Sequence, residues 1–307
     1  MNNTTEFANN IYEQPWWLDT VAPGNWEELL SMDENGNVLA RMVTVKSGKS
    51  IYMPLLTQTL GFWIREDIRG NYGEEKRILN EFRSKIKTHK KILIRLDPEN
   101  HYVLPFKWAD FVIEPKFTYR INDLSNPDAI YDGFNKTAKK NIKSAKNKVH
   151  ITDSYDFDEL WEMLNKTFLA QKRKNPMSKD LVYKITEACE KQGAGKYLCA
   201  KDDAGNVHSC AYFVYDKNVC YYLIGATDSA YRSSGAQSLI IWEGIKFAAE
   251  HSKVFDFEGS SIESIENFFR QFNNTCTAYY EVRKQPAIRE LLNLIKPKIK
   301  RMIGYKV

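Results

Sequence analysis

One six-residue turn occurs twice in this chain, and the same succession of elements follows it each time. Residues 33–38 read Asp-Glu-Asn-Gly-Asn-Val and residues 202–207 read Asp-Asp-Ala-Gly-Asn-Val. Gly and Asn tolerate positive φ, so both segments are hairpin signals. Each precedes a run with strand alternation and β-branched or aromatic content, 39–45 in the first copy and 208–215 in the second. A further strand is expected after each, around 50–54 and 219–225. A helix follows. In 74–87, Ile78, Leu79, Phe82 and Ile86 share one stripe. In 236–250, Ala236, Leu239, Ile240, Phe247 and Ala248 lie on one side and Ile241, Trp242 and Ile245 elsewhere, the mark of a helix buried between layers. Strands 91–96 and 254–257 come next, and strands 111–121 and 277–282 close the copies. The order repeats at an offset of about 160–170 residues, which predicts duplication of one α+β unit.

A chain of 307 residues has room for two such units. The expected division is 1–133 and 150–285, bridged by a helix over 134–149 and followed by a basic helix over 286–307. In the bridge, Phe134, Ala138, Ile142, Ala145 and Val149 form one stripe and the lysines lie elsewhere. Asp156 to Glu159 is a capping-box pattern that starts a helix to about 171. Ser178 caps another that ends near Gly193. In the tail, Ile288, Leu291, Leu292 and Ile295 keep helical register until Pro297 interrupts it. Trp16, Trp17, Trp26 and Trp63 are expected in the first domain's core or at the domain interface.

Composition removes several function classes. No apolar stretch approaches the roughly 20 residues that span a bilayer. The start, MNNTTEFANN, lacks a basic segment followed by an apolar one, so the expectation is a cytoplasmic globular protein. Five cysteines without a C-x-x-C pair and five scattered histidines argue against a disulfide framework, a metal site or a triad hydrolase. Net charge is only +5, but it is clustered. Lys136 to Lys148 carries six lysines and no acid, Lys172, Arg173 and Lys174 form a second cluster, and the tail from Arg283 is basic. Such clusters suit an anionic partner: a nucleotide diphosphate, an anionic lipid surface or RNA, with DNA not expected.

Chemistry concentrates at Thr-Asp-Ser-Ala-Tyr-Arg-Ser-Ser-Gly-Ala, residues 227–236, between a strand and a helix. Small residues at a helix N-terminus leave N–H groups that hold phosphate, and Arg232 adds a charged fork. This half of the chain resembles the GNAT acyltransferase superfamily, whose R-x-x-G-x turn grips the pyrophosphate of coenzyme A. Arg232, Ser233, Ser234, Gly235 and Ala236 match that turn, and Gln237 stands where the pattern has Gly or Ala. The resemblance implies that Leu223 and Gly225, on the strand before the turn, supply backbone N–H groups to the acyl carbonyl.

The whole chain resembles the FemAB-type peptidoglycan bridge aminoacyltransferases and their acetyltransferase relatives, which carry two GNAT-like domains in tandem. The matching stretches are the lysine-rich 136–146, Asp256-Phe-Glu-Gly-Ser at 256–260, and Ile-Glu-Asn-Phe-Phe-Arg-Gln-Phe at 265–272. In the last, Phe269 keeps the family's aromatic and Arg270 replaces its catalytic lysine, retaining charge without the ability to shed a proton. The resemblance implies Arg270, Glu258 and Tyr280 at the reaction centre, and Phe269, Lys172, Arg173 and Lys174 toward the substrate. Glu258 has a second reading, as a structural partner of Arg270. The implied function is an N-acyltransferase of cell-wall or surface-polysaccharide metabolism. Its donor is either acyl-CoA or aminoacyl-tRNA, its acceptor a UDP- or lipid-linked amine, and no metal is needed. The alternative is a catalytically silent, anion-binding scaffold with the same fold.

Overall fold

The computed structural model describes residues 4–259 and 262–284. The basic tail expected at 286–307 lies outside the described residues. A 3-10 turn Ile11–Glu13 leads into α1 (Pro15–Val21). Strands β1 (Trp26–Met32), β2 (Val38–Ser47), β3 (Ser50–Ile51) and β4 (Phe62–Ile64) follow, then α2 (Tyr72–Ile86), β5 (Lys91–Arg95), α3 (Leu104–Lys107) and β6 (Val112–Ile121). Next come α4 (Pro127–Gly133), α5 (Lys136–Lys146), β7 (His150–Thr152), α6 (Phe157–Ala170), α7 (Lys179–Gln192), β8 (Gly195–Lys201), β9 (Val207–Tyr215) and β10 (Val219–Thr227). A 3-10 turn Ser229–Ser234, α8 (Ala236–His251), β11 (Val254–Asp256), α9 (Glu263–Phe269) and β12 (Thr275–Lys284) complete the description. None of these helices is long and apolar enough to cross a membrane.

The chain divides into two compact units. The larger holds Asn10–Val21 and Phe117–Ala278; the smaller holds Glu6–Asn9, Ala22–Lys116 and the strand end from Tyr279. The boundaries expected at 133 and 150 therefore need correction. The chain changes unit inside β6 and again inside β12, because each strand's end is claimed by a different ladder. Ile121 and Arg120 of β6 pair with Phe255 and Asp256 of β11, whereas Glu281 to Lys284 of β12 pair with Arg95 to Ile92 of β5. Trp16 and Trp17 go with the larger unit rather than the first half's core.

The two hairpins fold alike. Asp33 accepts from the backbone N–H groups of Asn35 and Asn37 and from the Asn37 amide, and Asp202 does the same with Ala204 and Asn206. Gly36 and Gly205 both take left-handed φ, 83° and 84°. Each hairpin also slips register by one residue next to its turn: Met32 pairs with Val38, and Lys201 with Val207.

In the larger unit the sheet runs β6–β11–β10–β9–β8–β7. Helices α4, α5 and α8 pack on a core that includes Phe213, Tyr222, Phe255 and Phe257. Helix α5 docks the apolar stripe expected of it, burying Ala138, Ile142 and Ala145 in this core, and it lies within the larger unit rather than as a bridge. Helix α6 packs on β9 and β10, α7 on β8, and α1 on α7. In the smaller unit β1–β2–β3–β5–β12 are neighbours and β4 pairs with β2. Its core gathers Ile78, Leu79, Phe82 and Ile86 of α2 against Ile92 and Ile94.

Candidate functional site

Strand β10 is buried along nearly all its length, yet it is opened at two places. Against β9 its register jumps, Tyr222 facing Phe213 and Ile224 facing Tyr212, so Leu223 is an extra, bulged residue. A bulge leaves peptide groups outside the ladder. Against β11 the parallel pairing covers Val219–Tyr221 and ends there. The bulge thus lies two residues past the end of the β10–β11 pairing, where β11 itself ends. Two residues on, Gly225 has no room for a side chain, since a Cβ would stand 1.8 Å from the Tyr222 hydroxyl. Burial pushes that phenol up to about 12, and its oxygen accepts from Gln237 Nε2 at 3.1 Å. Gln237 opens α8, so this contact ties the bulged strand to the helix start.

Between them runs the turn singled out above. Asp228 begins it, its side chain accepting the Ala230 N–H at 2.9 Å. Gly235 ends it with φ 84°, where a side chain would be strained, and its Cα lies so close to α5 that a Cβ would meet the Asn141 carbonyl oxygen at 2.4 Å. The lysine-bearing helix therefore runs beside the turn. Ser234 is buried and its hydroxyl accepts the Ala236 N–H at 3.2 Å. Both are thereby engaged within the turn, and the first-turn N–H of Gln237 is left without a hydrogen-bond partner among the described residues. Arg232 and Ser233 are exposed. Arg232 and the α5 lysines Lys136, Lys140, Lys143 and Lys146 form no ion pair among the described residues. The result is an anion-attracting surface around one helix N-terminus.

Helix α6 braces the turn. Thr227 donates its N–H to Thr167 Oγ1 at 2.9 Å, and Lys166 lies 3.3 Å from Asp228. Past the helix end, Lys172 turns left-handed at φ 55° and Arg173 donates its N–H to the Phe168 carbonyl at 3.0 Å. Arg173 then lines an open cavity of about 520 Å³ with Trp161, Asn165, Phe168 and Leu169. Lys172 and Lys174 are exposed.

The residues after β11 form a second focus. Asp256 is 1% exposed; it accepts from the Thr118 hydroxyl at 2.5 Å, and Arg120 Nε lies 3.3 Å away. Glu258 takes a left-handed φ of 56°, and Gly259 is pressed so closely on β6 that a Cβ would meet the Phe117 carbonyl oxygen at 2.1 Å. The Glu258 carboxyl accepts from the Tyr12 hydroxyl. Burial raises this carboxyl to about 8, the Tyr12 hydrogen bond acting against the rise and the Asp256 carboxylate adding to it. Tyr12 is wholly buried, its ring centroid 4.8 Å from that of Tyr221 and 5.0 Å from that of Trp17, and its phenol is pushed well above the usual range.

The remaining expected residues fall differently. Phe269 is buried between Phe257 and Tyr222, with centroids at 5.1 and 6.2 Å. Arg270 caps α9 with its side chain 61% exposed, 3.8 Å from Glu266. It is not paired with Glu258, whose partner is Tyr12. Tyr280 packs on the core of the smaller unit. The structure thus gathers Leu223, Gly225 and the 232–236 turn around β10 and α8, with Phe269 packed beneath. Sequence reasoning missed Tyr12, Asn141 and Thr167. Tyr12 is 246 residues from Glu258, and no local pattern marks it.

Comparison with known proteins bears on the fold. A family model described as an acetyltransferase (GNAT) domain matches residues 134–270. No curated protein sequence matches the chain. Among solved structures, FemX is similar at TM-score 0.71 and 15% identity, over 94% of this chain and 95% of that one. The structure of L-PGS from Bacillus licheniformis gives TM-score 0.55 at 11% identity, over 94% and 91%. A tandem GNAT protein from the clavulanic acid biosynthesis pathway gives 0.53 at 9%, over 84% and 82%. At these identities the likeness is one of fold. The stretch that matches the acetyltransferase (GNAT) model, residues 134–270, holds the Leu223 bulge and the Gly235 turn.

Proposed function

We propose that the protein is an N-acyltransferase that passes an acyl or aminoacyl group to an amine acceptor in cell-envelope metabolism. The observation that carries this reading is the succession, on one strand and helix, of the Leu223 bulge and the Gly235 turn beside a lysine-lined helix. Arg232, Ser233 and the Gln237 N–H hold the donor's phosphate, with Gly235 giving close backbone approach and the helix dipole adding to the attraction. The peptide groups freed around Leu223 and Gly225 face the oxyanion that develops on the acyl carbonyl. Arg270 contributes charge near the reacting carbonyl. Lys172, Arg173 and Lys174 attract an anionic acceptor toward the cavity at the α6 end. The FemAB resemblance and the fold shared with the C-terminal domain of a putative lysylphosphatidylglycerol synthetase from Agrobacterium fabrum, at TM-score 0.55 and 10% identity, support the envelope context.

Two donors suit this arrangement, the thioester of coenzyme A and the ester of aminoacyl-tRNA. The test is a binding and transfer screen with acetyl-CoA, charged tRNA and a UDP-linked muropeptide. Binding of coenzyme A alone selects the acetyltransferase. Charged tRNA together with muropeptide selects the bridge-forming ligase. Bound pairs that never form an amide contradict the enzyme reading and leave an anion-binding scaffold.

A further inference from the structure

The chain leaving β4 and the chain leaving β10 are fastened back by the same two backbone bonds. The Arg65 N–H, just past β4, donates to the Leu39 carbonyl at 2.9 Å, and the Asp228 N–H, just past β10, donates to the His208 carbonyl at 3.1 Å. Three residues on, the Ile68 N–H donates to the Arg65 carbonyl at 2.9 Å and the Tyr231 N–H to the Asp228 carbonyl at 3.1 Å. By these bonds Leu39 corresponds to His208, and Ile68 to Tyr231. In the smaller unit the pair is aliphatic, and both side chains are buried in the apolar core. In the larger unit it is aromatic: the His208 and Tyr231 rings stack with centroids 4.0 Å apart and planes 9° from parallel.

Packing alone does not call for the imidazole, since Leu serves in the other copy. His208 is 6% exposed and its Nδ1 has no hydrogen-bond partner among the described residues. A buried polar atom left unpaired is destabilising. Its Nε2 lies 3.3 Å from Asp202 Oδ2. Asn206, through its amide and its backbone N–H, holds the Asp202 carboxyl down at about 2. A carboxylate can only accept, so Nε2 carries the hydrogen and the bond fixes the plane of the ring. The hairpin thereby offers Tyr231 a flat face of set orientation. Tyr231 stands in the 3-10 turn Ser229–Ser234, immediately before Arg232. The hydrogen-bond geometry of such a turn is poor, so contacts from outside decide where it lies. Its ends are fixed by the Asp228 bond to β9 and by Gly235 against Asn141. Between them Arg232 and Ser233 are exposed, and the stack on His208 is the one ring contact of the turn among the described residues.

We propose that His208 and Tyr231 are positioning residues for donor binding: their stack, oriented by Asp202, sets where Arg232 and Ser233 stand against the donor's phosphate. This rests on the reading of the 232–236 turn as a phosphate grip. Neither ring takes part in the chemical step, and both act on the affinity for the donor. The smaller unit, whose helix start is occupied by its own Glu75, keeps the backbone bonds and has the aliphatic pair instead.

The test uses the smaller unit's own pair as its control. His208→Leu breaks the stack, and the double variant His208→Leu/Tyr231→Ile reproduces the aliphatic pair. Tyr231→Phe keeps both ring faces. Titration calorimetry with inorganic pyrophosphate needs no transfer reaction, and steady-state kinetics with the donor selected by the screen adds the split between KM and kcat. In His208→Leu and in the double variant, pyrophosphate affinity should fall and donor KM rise roughly three- to tenfold, the scale of one lost aromatic pair, while kcat at saturating donor changes less. The double variant should regain melting temperature lost in His208→Leu without regaining affinity, and Tyr231→Phe should bind more tightly than Tyr231→Ile. Wild-type pyrophosphate affinity in a folded double variant overturns the proposal and leaves the stack as packing. A fall in kcat at unchanged KM overturns it as well. A wild type that binds no pyrophosphate rejects the phosphate grip itself, and the positioning role falls with it.

Discussion

The starts of α2 and α8 occupy corresponding places in the two copies, and they treat an anion in opposite ways. At α2 the chain supplies its own negative charge. Asn71 accepts the Glu74 N–H at 3.4 Å, and the Gly70 N–H donates to Glu75 Oε1 at 2.7 Å. Glu74 and Glu75 both sit in the first turn. At α8 there is no first-turn acid and no side-chain cap on the helix N-cap. The glycines differ too. Gly70 is left-handed at φ 87° in open space, whereas Gly235, at φ 84°, meets a neighbouring helix backbone. The preceding strands diverge as well, since β4 before α2 is three residues long and β10 before α8 is nine, with a bulge. A shared hairpin therefore carries one helix end that is filled and one that is open to a ligand. Fold alone does not fix function; the residues grafted on it do.

The largest effect expected from breaking this contrast is on turnover. Arg270→Ala should lower kcat, by less than the roughly hundred- to thousandfold cost of losing a water-excluded oxyanion donor because this side chain is 61% exposed, with Arg270→Lys keeping part of the rate. Steady-state kinetics on folded variants decides it, and a wild-type kcat would return Arg270 to the solvated end of α9. Next comes Gly235→Ala. Its backbone strain alone costs on the order of 1–3 kcal/mol, and the Asn141 contact adds to it. Melting temperature and donor affinity should both drop. Gly70→Ala should carry the strain without the contact, so it should lower the melting temperature less and leave donor affinity alone. Equal donor affinity in the two variants would erase the distinction between the helix starts. A smaller effect is expected for Arg232→Ala. Loss of one charged hydrogen bond of about 1.5–3 kcal/mol should raise the donor KM roughly ten- to a hundredfold, with less change in kcat. An unchanged KM would remove Arg232 from the donor site.

Legibility in the sequence followed the range of the interactions. Hairpins at Asp33 and Asp202 and caps at Asp156 and Ser178 are set by neighbours within four residues, and they form as read. Helix α5 was legible as an amphipathic helix, but its stripe does not say what it packs on, and it docks into a core rather than bridging. The unit boundaries escaped because β6 and β12 are each split between ladders whose partners lie far along the chain. The turn 232–236 was visible as small residues before a helix, yet the engagement of Ser234 with Ala236 depends on its folded path. Glu258 could be placed at a strand end. Its partner Tyr12, near the start of the chain, could not.

The central claim, that the donor's phosphate rests on the open start of α8, is tested most directly by giving that helix the acid α2 already has. Gln237→Glu is nearly isosteric, and its side chain can still meet the Tyr222 hydroxyl, which would then donate. Titration calorimetry of the donor selected by the screen, on wild type and Gln237→Glu at one salt concentration, should show at least a tenfold weaker affinity in the variant, about 1.4 kcal/mol, at an unchanged melting temperature. Equal affinity in the two proteins would contradict the claim and place the donor away from α8.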